Sequence, residues 1–181
     1  MADSNITKRA LANALKELMQ TVPFAKISVA DICEKCDMNR KSFYYHFQDK
    51  YGLMNWIFDM EFIEFINRGT VDKSPKEMTA LFRILYDGRG FYRNALSVQG
   101  QNSLTEHIRE IAIPILRERM REALPDEEDQ NFYLDFFLDA LLGAILRWIK
   151  DENCDPPEIF IPHFFSCIHS TAKYIFNKYS G

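Results

Sequence analysis

Between Ile27 and Leu53 the chain reads ISVADICEKCDMNRKSFYYHFQDKYGL, with three polar residues standing where helices start. Ser28 and Asp31 form an S-x-x-D pattern, in which each side chain satisfies a free backbone N–H of a first helical turn. Asn39 and Asp49 are caps of the same kind. The stretch therefore folds as short helices joined by tight turns, not as one long helix or a strand. Val29, Ile32, Cys33 and Cys36 make the inner face of the first short helix, and Asp37-Met38 forms the turn. Phe43 and Phe47, one helical turn apart, share a face of the second and should pack on Ile32 and Cys36.

That packing leaves Arg40, Lys41, Tyr44 and Tyr45 on other faces of the second helix. Arg and Lys near the amino end of such a helix reach guanine O6 and N7 in a major groove. Tyr hydroxyls and the following Lys50 suit phosphate oxygens, which set position rather than specificity, and His46 adds a further phosphate contact. An ordinary solvated helix is the alternative. Two adjacent tyrosines flanked by bases are unusual for such a surface, so the residues point to double-stranded DNA.

The charge distribution agrees. Residues 1–60 hold eight Lys/Arg and seven acids, the remainder fourteen and nineteen, and the whole chain carries −4. A localised basic surface on an acidic body fits a specific binder better than a general nucleic-acid coat. No stretch has the roughly 18 uninterrupted apolar residues of a membrane span. The amino terminus lacks a signal-type apolar core, so a cytoplasmic location is expected. Four Cys in 181 residues do not make a disulfide framework.

Nearly every other segment also has helical periodicity. The first helix is expected from Asp3 or Ser4 to about Thr21, with Leu11, Ala14, Leu15, Leu18 and Met19 as its stripe and Val22-Pro23 closing it. A helix capped by Asp49 carries Leu53, Trp56, Ile57, Met60 and Ile63 and ends at Gly69. Further helices are expected from Ser74-Pro75 to Asp87-Gly88, from Phe91 to Ser97, and from the Ser103/Glu106 capping box to about Ala123. Pro114 should kink that last one. Two more follow, from Glu127 to Glu152 after the Leu124-Pro125 break, and from Pro157 or Pro162 to about Lys178. The fold class is all-α.

Ile27-Ser28-Val29, Asp31-Ile32, Ser42-Phe43-Tyr44-Tyr45-His46-Phe47, Lys50 and Leu53 together resemble the DNA-binding signature of the TetR/AcrR family of bacterial transcription regulators. The resemblance covers about the first third of the chain. It implies a three-helix helix-turn-helix head at 1–50, a connecting helix over about 50–68, and a helical ligand-binding and dimerisation domain at 69–181. It also implies a homodimer on a palindromic operator, with Ser28, Arg40, Lys41, Ser42, Tyr44, Tyr45, His46 and Lys50 as the DNA-binding set. Asp37 stands where the family usually has Gly, Cys36 where Ala is common, and Asn39 where Ser is usual. GRGFYRNALSVQGQNSL (88–104) and LLGAILRWIKDENCDPPE (141–158) are similar to the regulatory half of Firmicutes members, a group that includes activators of dihydroxyacetone kinase operons.

The two carboxy-terminal helices are apolar on more than one face, and such a helix buries both. The expected dimer interface includes Phe136, Ala140, Gly143, Ala144, Phe164 and Ile168, with Phe132, Phe137, Leu141, Ile145, Phe160, Phe165 and Phe176 adding to the surplus. A small-molecule pocket is expected among Phe82, Tyr86, Phe91, Tyr92, Leu116 and Trp148, although aromatics at helical spacing are more often core. Arg83, Arg89, Arg93 and Arg147 either orient an anionic ligand or are surface charges. Control by a protein co-regulator, or a ligand carrier that does not bind DNA, are the other readings. Cys33-x-x-Cys36 reads as small core residues, and His163, Cys167 and His169 lack a further ligand for a metal. No nucleophile–base order, phosphate loop or carboxylate pair stands out, so neither an enzyme nor a cofactor is expected.

Overall fold

The computed structural model describes residues 2–63, 75–119 and 129–179. All regular structure among them is helical: α1 (Ala2–Leu18), a 3-10 turn (Phe24–Lys26), α2 (Val29–Lys35), α3 (Arg40–His46), α4 (Lys50–Phe58) running into a π-helical turn (Asp59–Ile63), α5 (Pro75–Asp87), α6 (Arg89–Ala95), α7 (Leu104–Arg119), α8 (Gln130–Lys150) and α9 (Pro157–Tyr179).

The expected caps set the short helices. Ser28 and Asp31 close a reciprocal capping box, with Ser28 N–H donating to Asp31 Oδ2 at 2.7 Å and Asp31 N–H to Ser28 Oγ at 3.2 Å. Asn39 Oδ1 accepts from Ser42 N–H, and Asp49 Oδ1 from Gly52 N–H, each at 2.8 Å. The α2–α3 turn is a Schellman motif: Met38 N–H bonds Cys33 O at 2.8 Å and Asp37 N–H bonds Glu34 O at 3.2 Å. Asp37 sits in the left-handed region at φ 52°. That is the backbone angle for which glycine is preferred, so the Asp here carries a local cost.

Leu11, Leu15, Ile32, Phe43 and Leu53 are fully buried together, and Phe43 and Phe47 lock α3 onto α1 and α2 as their spacing predicts. The α4 stripe differs from expectation. Leu53 and Ile57 are buried, but so are Met54, Phe58 and Phe62, while Trp56 and Met60 are half-buried. The reason is position. α4 packs on α1 on the head side and on α7 in the body, so it needs two apolar faces. Its widened final turn lets Phe58 and Phe62 stack at 4.4 Å. In the body α5 lies on α9, α7 on α8, and α6 on α8. One buried apolar cluster runs from Leu11 to Ile161, joining head and body.

Several ends move. α1 begins at Ala2, so Asp3 and Ser4 lie within it, and it ends at Leu18 with a turn before Pro23. α6 starts at Arg89, α8 spans Gln130–Lys150, and α9 starts at Pro157 with Pro162 inside it. Pro114 lies inside an uninterrupted α7. The expected features at Gly69, Ser74, Ala123, Leu124-Pro125 and Glu127, and the Phe176 side chain, lie outside the described residues.

Asp37→Gly should stabilise the fold by about 0.5–1 kcal/mol, because it removes the left-handed strain at a small entropic cost. Urea denaturation of the two proteins measures it. An Asp37→Val substitution should instead lower the midpoint.

Candidate nucleic-acid interface

α3 is only seven residues long, so its direction comes from packing and caps rather than intrinsic helicity. With Phe43 and Phe47 inward, Arg40 and Lys41 are exposed on the first turn, and Tyr44 and Tyr45 are 58% and 82% exposed. Tyr44 leans edge-on against Phe43, and Tyr45 edge-on against the half-buried His46 at 4.9 Å. Large aromatic rings held in water by their own neighbours are costly to leave uncovered. The same face offers two cations and two phenolic hydroxyls.

Ser28 and Ser42 are placed differently. Ser28 Oγ is committed to the capping box and Ser42 Oγ lies 3.2 Å from Asn39 Oδ1, so both hydroxyls serve helix starts. Asp31 is held below the usual carboxylate range by the Ser28 backbone and hydroxyl donors, with the Arg40 and Lys50 charges adding less. The cap is therefore at full strength above the ordinary Asp value and is lost as pH falls through the depressed one.

Lys50 departs most from expectation. Its ammonium donates to Phe24 O and Ile27 O at 2.7 Å each and to Ala25 O at 3.3 Å, and it sits 4.5 Å above the Phe24 ring. All three N–H donors are used inside the protein. Burial lowers its pKa, partly offset by Asp31. Lys50 ties the loop before α2 to the start of α4, and its tip does not stand free on the α3 surface.

The junction between head and body holds polar residues that periodicity alone does not mark. Asn94 on α6 donates to Val22 O at 2.8 Å and Met19 O at 3.3 Å, and accepts from Phe24 N–H at 3.0 Å. Glu61 in the π turn bonds Lys16 of α1 at 2.5 Å and accepts from the Tyr92 hydroxyl of α6. Burial, then the Glu61 charge, pushes the Tyr92 phenol far above its ordinary value, so it stays a donor. His107 of α7 lies 2.6 Å from Asp59 of the same π turn. A sequence signal exists only in outline: Tyr92, Arg93 and Asn94 follow one another in a short helix that also carries Arg89, with nothing to say what they bond.

The body gathers the expected residues unevenly. Phe82, Tyr86 and Trp148 form an aromatic stack with Phe160 and Phe164, in which Trp148 and Phe160 lie 4.4 Å apart. Phe91 and Tyr92 are fully buried at the head–body junction instead, and Leu116 is half-buried on α7. The six residues proposed for one pocket are thus split between sites, because α6 turns its aromatics toward α1 and the π turn. Arg83 pairs with Glu158, Arg89 bonds Tyr86 O at 3.0 Å, and Arg93 bonds Ile149 O at 3.0 Å. Five of the six expected interface residues, Phe136, Ala140, Ala144, Phe164 and Ile168, line one apolar groove of about 400 Å³ between α8 and α9. Gly143 is exposed, with open space around its Cα. Phe132, Phe136 and Phe165 are also exposed, at 71%, 67% and 41%. A second, open groove of about 620 Å³ between α7 and α8 centres on Arg109, which bonds Asp135 at 3.1 Å and also pairs with Asp139.

Cys33 is buried on α2 and Cys36 is half-buried at its C-cap, where Cys36 Sγ donates to Ile32 O. Among the described residues no three His, Cys, Asp or Glu side chains group for a metal ion, and no helix is long and apolar enough to cross a membrane.

An all-helical chain with a short, capped, cation-bearing helix after a Schellman turn is built as a transcription regulator of the helix-turn-helix class. Comparison gives the family. Residues 11–56 match the model for bacterial regulatory proteins of the tetR family, and residues 72–170 match a transcriptional regulator C-terminal region of that family. The chain belongs to the TetR family; its relatives are transcriptional regulators rather than enzymes. It is 37% identical over 98 residues, 51% of this chain and 50% of the relative, to the HTH-type dhaKLM operon transcriptional activator DhaS of Lactococcus lactis. It is 23% identical over 169 residues, 87% of this chain and 43% of the relative, to the HTH-type transcriptional regulator YxbF of Bacillus subtilis. These alignments span half or less of the curated relatives' length. Among solved structures, a dihydroxyacetone kinase operon activator DhaS superposes with TM-score 0.63 at 22% identity, covering 93% of this chain and 97% of that one. A TetR transcriptional regulator from Streptococcus agalactiae superposes with TM-score 0.67 at 18% identity, covering 92% and 96%. At these identities the two structures establish the fold alone.

If Lys50 is a buttress, Lys50→Ala should cost about 2 kcal/mol in chemical denaturation, since it leaves carbonyls of the 24–27 loop unpaired. A lysine acting only on phosphate would leave stability within about 0.5 kcal/mol, as surface changes do.

Proposed function

We propose that this regulator is a homodimer that reads a palindromic operator with α3. The carrying observation is the division of α3: Phe43 and Phe47 buried, Arg40, Lys41, Tyr44 and Tyr45 in solvent. Arg40 and Lys41 are the base readers; Tyr44, Tyr45 and His46 contact phosphates. Ser28, Ser42 and Lys50 support this surface by holding the starts of α2, α3 and α4. The head is 1–50, α4 connects, and 69–181 is the regulatory and dimerisation domain.

The second subunit covers the apolar groove between α8 and α9. Exposed Phe132, Phe136 and Phe165 border it, and small residues at 140, 143 and 144 allow close helix approach. Two heads then meet successive major grooves about 34–36 Å apart, or a multiple of that. The body receives the controlling signal, a small molecule or a protein co-regulator, and passes it on by biasing the head positions. The 37% identity to an activator of the dhaKLM operon over 98 residues favours activation in the same manner.

Selection from randomised duplex DNA, followed by gel shift across a salt series, tests the reading. Recovery of a palindrome, and affinity falling steeply with salt, is the expected result. Tyr44→Ala with Tyr45→Ala should weaken all sequences about equally, and Arg40→Ala should relax one base position by about 1–3 kcal/mol. Failure to enrich any duplex sinks the proposal. Separately, Ala140→Glu should convert the dimer to monomer in sedimentation velocity, and an unchanged dimer would move the interface elsewhere.

A further inference from the structure

The outward side of α9 carries a row of residues four apart: Ile159, His163, Cys167 and Thr171. Side chains at that spacing stand one above the other and form a ridge along the helix. All four are exposed, Ile159 at 47%, and Cys167 and Thr171 also line the apolar groove between α8 and α9. Cys167 is the exception among the four free thiols, since Cys33 is buried and Cys36 and Cys154 are half-buried. Unpaired Cys is among the most buried residue types, so a thiol left in solvent on this ridge calls for a reason.

His163 and Cys167 are the chemically distinctive pair. Four residues apart on a helix, their Cβ atoms lie about 5–6 Å from each other. Two side chains of one helix hold a zinc ion at this spacing. His169 follows Cys167 by only two residues and so points to another side of α9. One chain therefore offers two ligands, and a closed tetrahedral site needs four. A two-fold axis supplies the other two. A ridge that meets its own copy presents His163 and Cys167 twice, which makes a Cys2His2 set.

Charge and packing favour that arrangement. From Ile159 to Thr171 the ionisable side chains are His163, Cys167 and His169, with no acid or base among them. A divalent ion held by two thiolates and two neutral imidazoles has no net charge, so an apolar interface can enclose it without burying an uncompensated charge. Ala140 and Ala144 line the groove from the α8 side and let a partner helix come close. Thiolate and imidazole together select zinc over magnesium or calcium, which take oxygen ligands.

We propose that His163 and Cys167 of two subunits together bind one zinc ion across the dimer interface. This rests on the reading that a second subunit covers the α8–α9 groove. Each imidazole binds through a neutral ring nitrogen. Each thiol gives its proton to solvent, so two protons leave per ion bound. The complete site exists only in the dimer, and the ion therefore stabilises the dimer by linkage.

The test uses the full chain, stripped with a chelator and kept reduced, then titrated with Co²⁺ as a spectroscopic stand-in or with Zn²⁺. Co²⁺ should give a thiolate charge-transfer band and the intense visible bands of tetrahedral coordination, saturating at one ion per two chains. Zn²⁺ should displace it and tighten dimerisation at least about tenfold in sedimentation equilibrium. Cys167→Ser should abolish the charge-transfer band, and His163→Ala should lower Co²⁺ affinity at least about tenfold. His169→Ala should change neither. These side chains are exposed, so the substitutions should leave the fold intact. One ion per chain, or a thiolate band that survives Cys167→Ser, marks adventitious capture of metal and overturns the proposal. So does the absence of any band.

Ala140→Glu separates the site from the interface. A dimer that this change dissociates, but that takes up no Co²⁺ beforehand, overturns the site and leaves the interface standing. If the dimer survives Ala140→Glu, the groove reading fails. A Cys167-dependent ion shared by two chains would then still support the site, with the α9 ridge itself on the two-fold axis.

Discussion

The peptide groups of Phe24 are the joint on which the molecule depends. The N–H goes to Asn94 in the body, the C=O goes to Lys50 at the start of α4, and the ring is 1% exposed. Burying a Phe side chain contributes about 1.5–3 kcal/mol, and each satisfied buried group avoids a penalty of about 1–3 kcal/mol. Those terms fall on one residue in the turn that leads from α1 into helices too short to be stable alone. α2 and α3 have seven residues each, so their geometry is borrowed from what holds them.

This explains why the outward face of α3 can be so exposed. Tyr44 and Tyr45 gain nothing from the fold, and α3 would fray if its orientation relied on them. Instead Asn39 holds its start, Phe43 and Phe47 its inner face, and the Lys50 clamp the loop ahead of α2. Asp37 adds a small strain at the turn, tolerated because the Schellman bonds on both sides define it.

Most of the head was legible in its residues. Caps at Ser28, Asn39 and Asp49 are local chemistry, and the inward pair Phe43/Phe47 follows from helical period alone. The groove lined by Phe136, Ala140, Ala144, Phe164 and Ile168 was legible for a similar reason: α8 and α9 have more apolar residues than one face consumes. What was not legible depends on partners distant in the chain. Lys50 looks like any surface lysine beyond the end of α3 until the carbonyls of residues 24, 25 and 27 are placed around it. Asn94 is some seventy residues from the groups it bonds. Met54 and Phe58 fall off the α4 stripe because α7 covers a second face, and the π turn shifts the register beyond it. Phe91 and Tyr92 looked like pocket aromatics because composition cannot say which way a seven-residue helix turns.

Native-state hydrogen exchange at the Phe24 amide tests the central claim most directly. An amide bonded to the body and flanked by the Lys50 clamp should open only when the whole chain unfolds. Its opening free energy should then lie within about 1 kcal/mol of the most protected amides of α1. Exchange through a local opening several kcal/mol cheaper, with α1 still protected, would contradict the account and leave the head hinged freely on the body.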